Sequence, residues 1–78
     1  MLKVLQISGF YRGKDKFENE QYTIHGLEYG KRQNFHGVPV KVCYVKCDKI
    51  KELTDADLRK DLYVEYNDRG WVQAAEVK

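Results

Sequence analysis

The chain has no long apolar run: no stretch of its 78 residues approaches the roughly 18 apolar residues that a membrane-spanning helix needs. It opens MLKVLQISGFYRGK, which lacks the apolar core and small-residue cleavage site of a secretory signal, so a cytosolic location and no membrane partner are the expectation. Proline is nearly absent, with one residue against six glycines, which excludes collagen-like and proline-rich disordered chains. Cysteine is scarce too. Cys43 and Cys47 are four residues apart, and on one strand their Cα atoms would stand about 13 Å apart, too far for a disulfide. Two reduced thiols in a reducing compartment follow. Charge of one sign is lacking as well: 14 Lys and Arg against 12 Asp and Glu leave a formal charge of +2, which excludes coating of nucleic acid by bulk positive charge.

Motifs for chemistry are equally sparse. Gly9 to Asp15 contains Gly-Lys but not the glycine spacing, or the Ser or Thr, of a phosphate loop. Cys43, His25 and Asp48 could be assembled into a nucleophilic trio, as could a similar set in any small protein, and no enzymatic role is assigned. His25 and His36 with the two cysteines raise zinc, but structural zinc sites draw ligands from tight turns, whereas Cys43 and Cys47 fall within a regular strand pattern. No metal or cofactor is expected. Asp55, Asp57 and Asp61 read as a capped, solvated segment rather than a charge-mimicking surface.

What the chain does have is β-pattern and aromatic residues. Leu2 to Phe10 reads as a strand with apolar residues on both faces, and Gly13 to Lys16 as a charged turn. Glu20 to Tyr29 reads as a second strand in which Gly26 allows a bend. Val38 to Cys47 alternates with apolar residues on both faces, which suits a central strand. Thr54 and Asp57 resemble a capping box with Leu53 and Leu58 as its staple, giving a short helix at about 55–60. Leu62 to Tyr66 and Trp71 to Val77 flank Asn67-Asp68-Arg69-Gly70, a strong hairpin turn.

The order is therefore β-β-β-α-β-β in one small domain, residues 1–78. It matches an all-β, five-stranded closed barrel of the OB type with a helix plugging one end, an SH3-like barrel being the alternative.

Ten aromatic residues exceed what one small core needs, so some face solvent. Many are interleaved with cations, as single-strand binding requires: rings to stack on bases and cations to meet phosphates. In an OB barrel the ligand face comes from the second and third strands and the first-to-second and fourth-to-fifth loops. Tyr11, Tyr22, Tyr29 and Trp71 are the stacking candidates on this reading, and Arg12, Lys14, Lys16, Lys31, Arg32, Lys41 and Arg69 the phosphate contacts.

In length, in the aromatic and basic segment Phe10-Tyr11-Arg12-Gly13-Lys14 and in the closing hairpin Leu62 to Val77, the chain resembles the small single-stranded-DNA-binding proteins of phages and plasmids. That resemblance implies non-catalytic binding of single-stranded nucleic acid, DNA before RNA, by a homodimer, which the doubly apolar first strand would suit. Residues 55–60 depart from it, being more helical than the long hairpins of filamentous-phage proteins. A second reading makes the same exposed aromatics the anchors of a protein-interaction module or inhibitor; a third is a structural subunit whose aromatics are consumed by core and oligomer contacts. A basic groove favours nucleic acid, and a flat apolar patch or an acidic groove favours a protein partner.

Overall fold

The computed structural model describes residues 2–30 and 33–78. Its strands are β1 (Leu2–Lys14), β2 (Glu20–Glu28), β3 (Val40–Lys46), β4 (Asp61–Tyr66) and β5 (Val72–Val77). They form one antiparallel sheet in the order β3-β2-β1-β4-β5. The chain is thus all-β with almost no helix.

The sheet curls so that β3 and β5 approach one another, but neither pairs with the other. The closed barrel expected from the element order is therefore not formed: β3 and β5 are edges. Val38 to Cys47 is corrected with it. Only Val40–Lys46 is strand, and it borders solvent; Val40 is 61% exposed and Tyr44 60%. Apolar residues on both faces signalled two occupied surfaces, one of which is the core and the other open.

The concave side holds the core. Leu5 and Ile7 of β1, Tyr22 and Ile24 of β2, Cys43 and Val45 of β3, and Leu62 and Val64 of β4 are buried there with Leu53. Each fully buried aliphatic side chain contributes about 1.5–3 kcal/mol. Gly26 lies opposite Ile7; a Cβ on it would stand 2.7 Å from Leu5 Cβ. Close approach of β2 to β1 is what this glycine serves.

β1 runs four residues past its expected end, through a bulge at Ser8, the residue left without a partner between Ile7 and Gly9. The turn follows at Asp15 to Asn19, not at Gly13 to Lys16. Asp15 organises it, its Oδ1 accepting from the N–H groups of Phe17 at 2.8 Å and Asn19 at 2.9 Å.

The expected helix at 55–60 is also corrected. A single 3₁₀ turn covers Asp55–Asp57, and another covers Cys47–Lys49. The start signal is real: Asp57 Oδ2 accepts the Thr54 N–H at 2.9 Å. The helix stops because β1 claims the next residues. Arg59 N–H donates to the Ile7 carbonyl at 2.7 Å, and Ile7 N–H donates to the Lys60 carbonyl at 2.9 Å, filling the ladder where the bulge interrupts it. Arg59 adopts a positive φ of 71° to do so. Leu53 caps this end of the core, its N–H donating to the Tyr22 hydroxyl at 3.1 Å, whereas the other staple residue, Leu58, stays exposed.

The terminal hairpin forms as its sequence requires. Asn67 Oδ1 accepts from the Arg69 and Trp71 N–H groups at 2.9 and 3.0 Å, and Gly70 takes φ 78°, conformations that Asn and Gly supply cheaply. Among the described residues no helix is long and apolar enough to cross a membrane.

Candidate functional site

Because side chains alternate along a strand, the register fixes which residues share the solvent side of β1, β2 and β3. Four rows cross it: Gln6–Leu27–Val40, Gly9–His25–Val42, Tyr11–Thr23–Tyr44 and Gly13–Gln21–Lys46. Tyr11 and Tyr44 are both exposed and flank the buried Thr23. Two strand spacings put their backbones about 10 Å apart. The Tyr11 ring also lies 6.5 Å from His25 at a 42° tilt.

Beside this face, along the free edge of β3, runs an open cleft of about 460 Å³ between β3 and the β4–β5 hairpin. One wall brings Gln21, Lys41, Val42, Cys43, Tyr44 and Lys46, the other Tyr66, Gly70, Trp71 and Val72. Among the described residues its lining contains no carboxylate. Trp71, 69% exposed, reaches it because the Asn67 turn ends there. At one end Lys46 is ion-paired with Asp15 Oδ2, so the carboxylate that shapes the β1–β2 turn also clips that turn to β3. At the other end the Lys41 ammonium sits over the Tyr66 ring, 5.4 Å from its centre, a cation–π contact.

Titration follows from this packing. Nearby Lys3, and then partial burial, hold the Lys41 ammonium below its ordinary pKa. Burial pushes the Cys43 thiol up, and burial followed by the hydrogen bond to Cys43 pushes the Tyr66 hydroxyl up. Tyr66 donates to Cys43 Sγ at 3.5 Å, and both groups stay protonated at neutral pH. A protonated, buried thiol is a packing element and not a nucleophile.

The residues singled out from sequence divide into several groups. Tyr11, Lys41 and Trp71 lie on the face or the cleft. Tyr22 does not: it is 3% exposed, its ring edge-on to Phe10 at 5.9 Å, so no base can stack on it. Arg12 and Lys14 alternate with Tyr11 and point to the other side of β1, where Arg12 is held by Glu20 at 2.6 Å. Lys16 lies in the turn over the ring of exposed Phe17, 5.1 Å from its centre. Tyr29 is exposed but distant, its hydroxyl donating to Asp61. Arg69 is exposed at the hairpin tip. Lys31 and Arg32 lie outside the described residues. The set therefore scatters over both sides of the sheet, and the assembled surface is a different one.

Tyr44, Val42, His25 and Lys46 were missed. For Tyr44, Val42 and Lys46 the signal is the alternation Val40-Val42-Tyr44-Lys46, which suits a central strand as well as an open face; His25, on β2, stands out in the sequence only as a zinc or catalytic candidate. Of the metal candidates, His25 is on the solvent side and Cys43 on the core side, and among the described residues no group of three metal-ligating side chains gathers. Comparison with known proteins gives no matching family model, no matching curated protein and no matching solved structure.

Proposed function

We propose that the protein binds single-stranded nucleic acid without catalysis, in the cleft between β3 and the β4–β5 hairpin and on the adjoining face of β1–β2–β3. The observation that carries this reading is the cleft lining: the exposed rings of Tyr44 and Trp71 stand beside Lys41, with Lys46, ion-paired to Asp15, at the far end. Flat rings offer stacking surface to any base, and each stacked base is worth about 1–3 kcal/mol. Lys41 offers a phosphate contact, the kind that dominates affinity. Tyr11 extends the platform across β1.

The architecture supports the same reading. The order β3-β2-β1-β4-β5 is consistent with an OB barrel opened between its third and fifth strands, since Leu53 and the short turns lie between the third and fourth strands, where an OB fold has its helix. In OB folds the second and third strands and the flanking 1–2 and 4–5 loops form the ligand face. Here those elements carry Tyr44, Phe17 and Trp71.

One observation favours a second reading, a protein-interaction module. Val40 and Val42 are exposed at the unpaired edge of β3 and Val38 just before it, and such an edge can accept a strand from another chain.

Titration of Trp71 and tyrosine fluorescence with oligo-dT of graded length, at two salt concentrations, tests the first reading. Saturable quenching that weakens steeply with salt is the expected result. A folded protein whose fluorescence does not change at low salt would overturn it and leave the protein-interaction reading, with the β3 edge as its surface.

A further inference from the structure

Lys3 does not line the cleft, and its position is unusual. It lies on the concave side of β1, opposite Val64. Tyr66 follows Val64 by two residues and faces the same side, and the Lys41 ammonium sits 5.4 Å over its ring. Lys41 itself projects from β3 to the concave side, opposite Gly26. Lys3 is the diagonal neighbour of Tyr66 across the β1–β4 pair, so two lysines from strands that are not neighbours border the same ring. Lys3, Glu28 and Cys43 are the titratable groups that act on Lys41.

Two ammonium groups brought together repel, and the repulsion is stronger where water is partly excluded. An anion between them removes it. Glu28 lies opposite Leu5 on the same side and eases the repulsion on Lys41 without outweighing it.

We propose that Lys3 and Lys41 form a clamp for one backbone phosphate of a single strand lying in the cleft, fixing where that strand leaves the protein. This rests on the nucleic-acid reading, and it adds a residue outside the stacking platform and a path. The strand passes Tyr44 and Trp71 and exits at Lys3 and Lys41, with Lys46 at the opposite end. A clamp shared by one phosphate behaves differently from two separate contacts, because removing both lysines costs one phosphate and not two.

Two measurements test it. In the first, inorganic phosphate is titrated into the intact protein while the side-chain NMR signals of Lys3 and Lys41 are followed. The expected result is one saturable shift of both signals at the same midpoint, with Lys3→Gln abolishing the response of Lys41. Absence of any shift, or a Lys41 response that survives Lys3→Gln, would overturn the clamp.

In the second, the salt dependence of oligo-dT binding is compared for the wild type, Lys3→Gln, Lys41→Gln and the double variant. Each phosphate contact on a single strand contributes about 0.7 to the slope of log K against log salt. The double variant is expected to lose about 0.7 in total. A loss of about 1.4 would mean two independent contacts, and no loss would mean none; either result overturns the shared clamp. If the wild type responds to phosphate but does not bind oligo-dT, the strand assignment is overturned and the clamp is one for free phosphate.

Discussion

On the solvent side of β1–β2–β3 stand Tyr11, His25, Val42 and Tyr44; on the solvent side of β1–β4–β5 stand Val4, Asp61, Tyr63, Glu65, Ala74 and Glu76. Both surfaces cover one core, and both contain aromatic residues. The difference lies in what the rings already touch. Tyr63 lies under the Lys78 ammonium at 5.2 Å, and Lys78 also approaches Glu76 at 3.9 Å. Tyr44 and Trp71 instead border an open cleft with lysines at its margins. Aromatic content alone therefore does not mark a binding surface. Exposure beside an unpaired strand edge is what sets Tyr44 and Trp71 apart.

The widest test of this contrast is one in which the halves should not differ. Ile24 in β2 and Leu62 in β4 are both fully buried. Ile24→Ala and Leu62→Ala are each expected to lower stability by about 2–5 kcal/mol, measured by urea denaturation. A large inequality would mean that the two halves do not share a core.

Function should separate them. Tyr44→Ala is expected to weaken oligo-dT binding by about 1–3 kcal/mol, while Tyr63→Ala leaves it unchanged, as read by fluorescence titration. Equal losses would dissolve the distinction.

A smaller effect concerns the link between the halves. Asp57 is buried, and the Lys51 ammonium at 2.8 Å, followed by the Thr54 N–H, holds its carboxyl below the ordinary carboxylate range. A lowered pKa stabilises the fold above the ordinary carboxylate pKa, and that stability is lost as pH falls through the lowered value. Asp57→Asn should cost about 1 kcal/mol at neutral pH, because it weakens a buried charge-assisted hydrogen bond of the capping box, and should flatten this acid dependence in denaturation curves at several pH values. Least of all, Glu76→Gln on the exposed acidic side should change stability by less than about 0.5 kcal/mol and leave oligo-dT affinity as it is.

Much of the fold was legible because its signals are local. β2 falls within one residue of its expected span, since its alternation is bounded by polar turns. The Asn67 to Gly70 hairpin forms because Asn and Gly are the residues its turn conformation needs. The failures share a long-range cause. Thr54 and Asp57 start a helix correctly, but the bulge in β1 recruits Arg59 and Lys60 before it can continue. The placement of β3 failed because an apolar pattern on both faces cannot distinguish a central strand from an edge strand with an open face.

The same ambiguity conceals the candidate site. Tyr22 and Tyr44 look alike in sequence, each in an alternating strand beside charged residues. One is buried, its hydroxyl accepting the Leu53 N–H, and the other lies on the cleft. Only the register separates them. Likewise Tyr11 and Arg12 are adjacent in sequence and therefore on opposite sides of β1, so an aromatic and basic run in a strand divides itself between two surfaces.

The most direct test of the central claim is amide chemical-shift mapping with oligo-dT at low salt. Shifts concentrated at Tyr11, Gln21 to His25, Lys41 to Lys46 and Gly70 to Val72, with Tyr63, Ala74 and Glu76 unmoved, are the expected result. Shifts confined to the β4–β5 outer face, or none with the protein folded, would contradict the account.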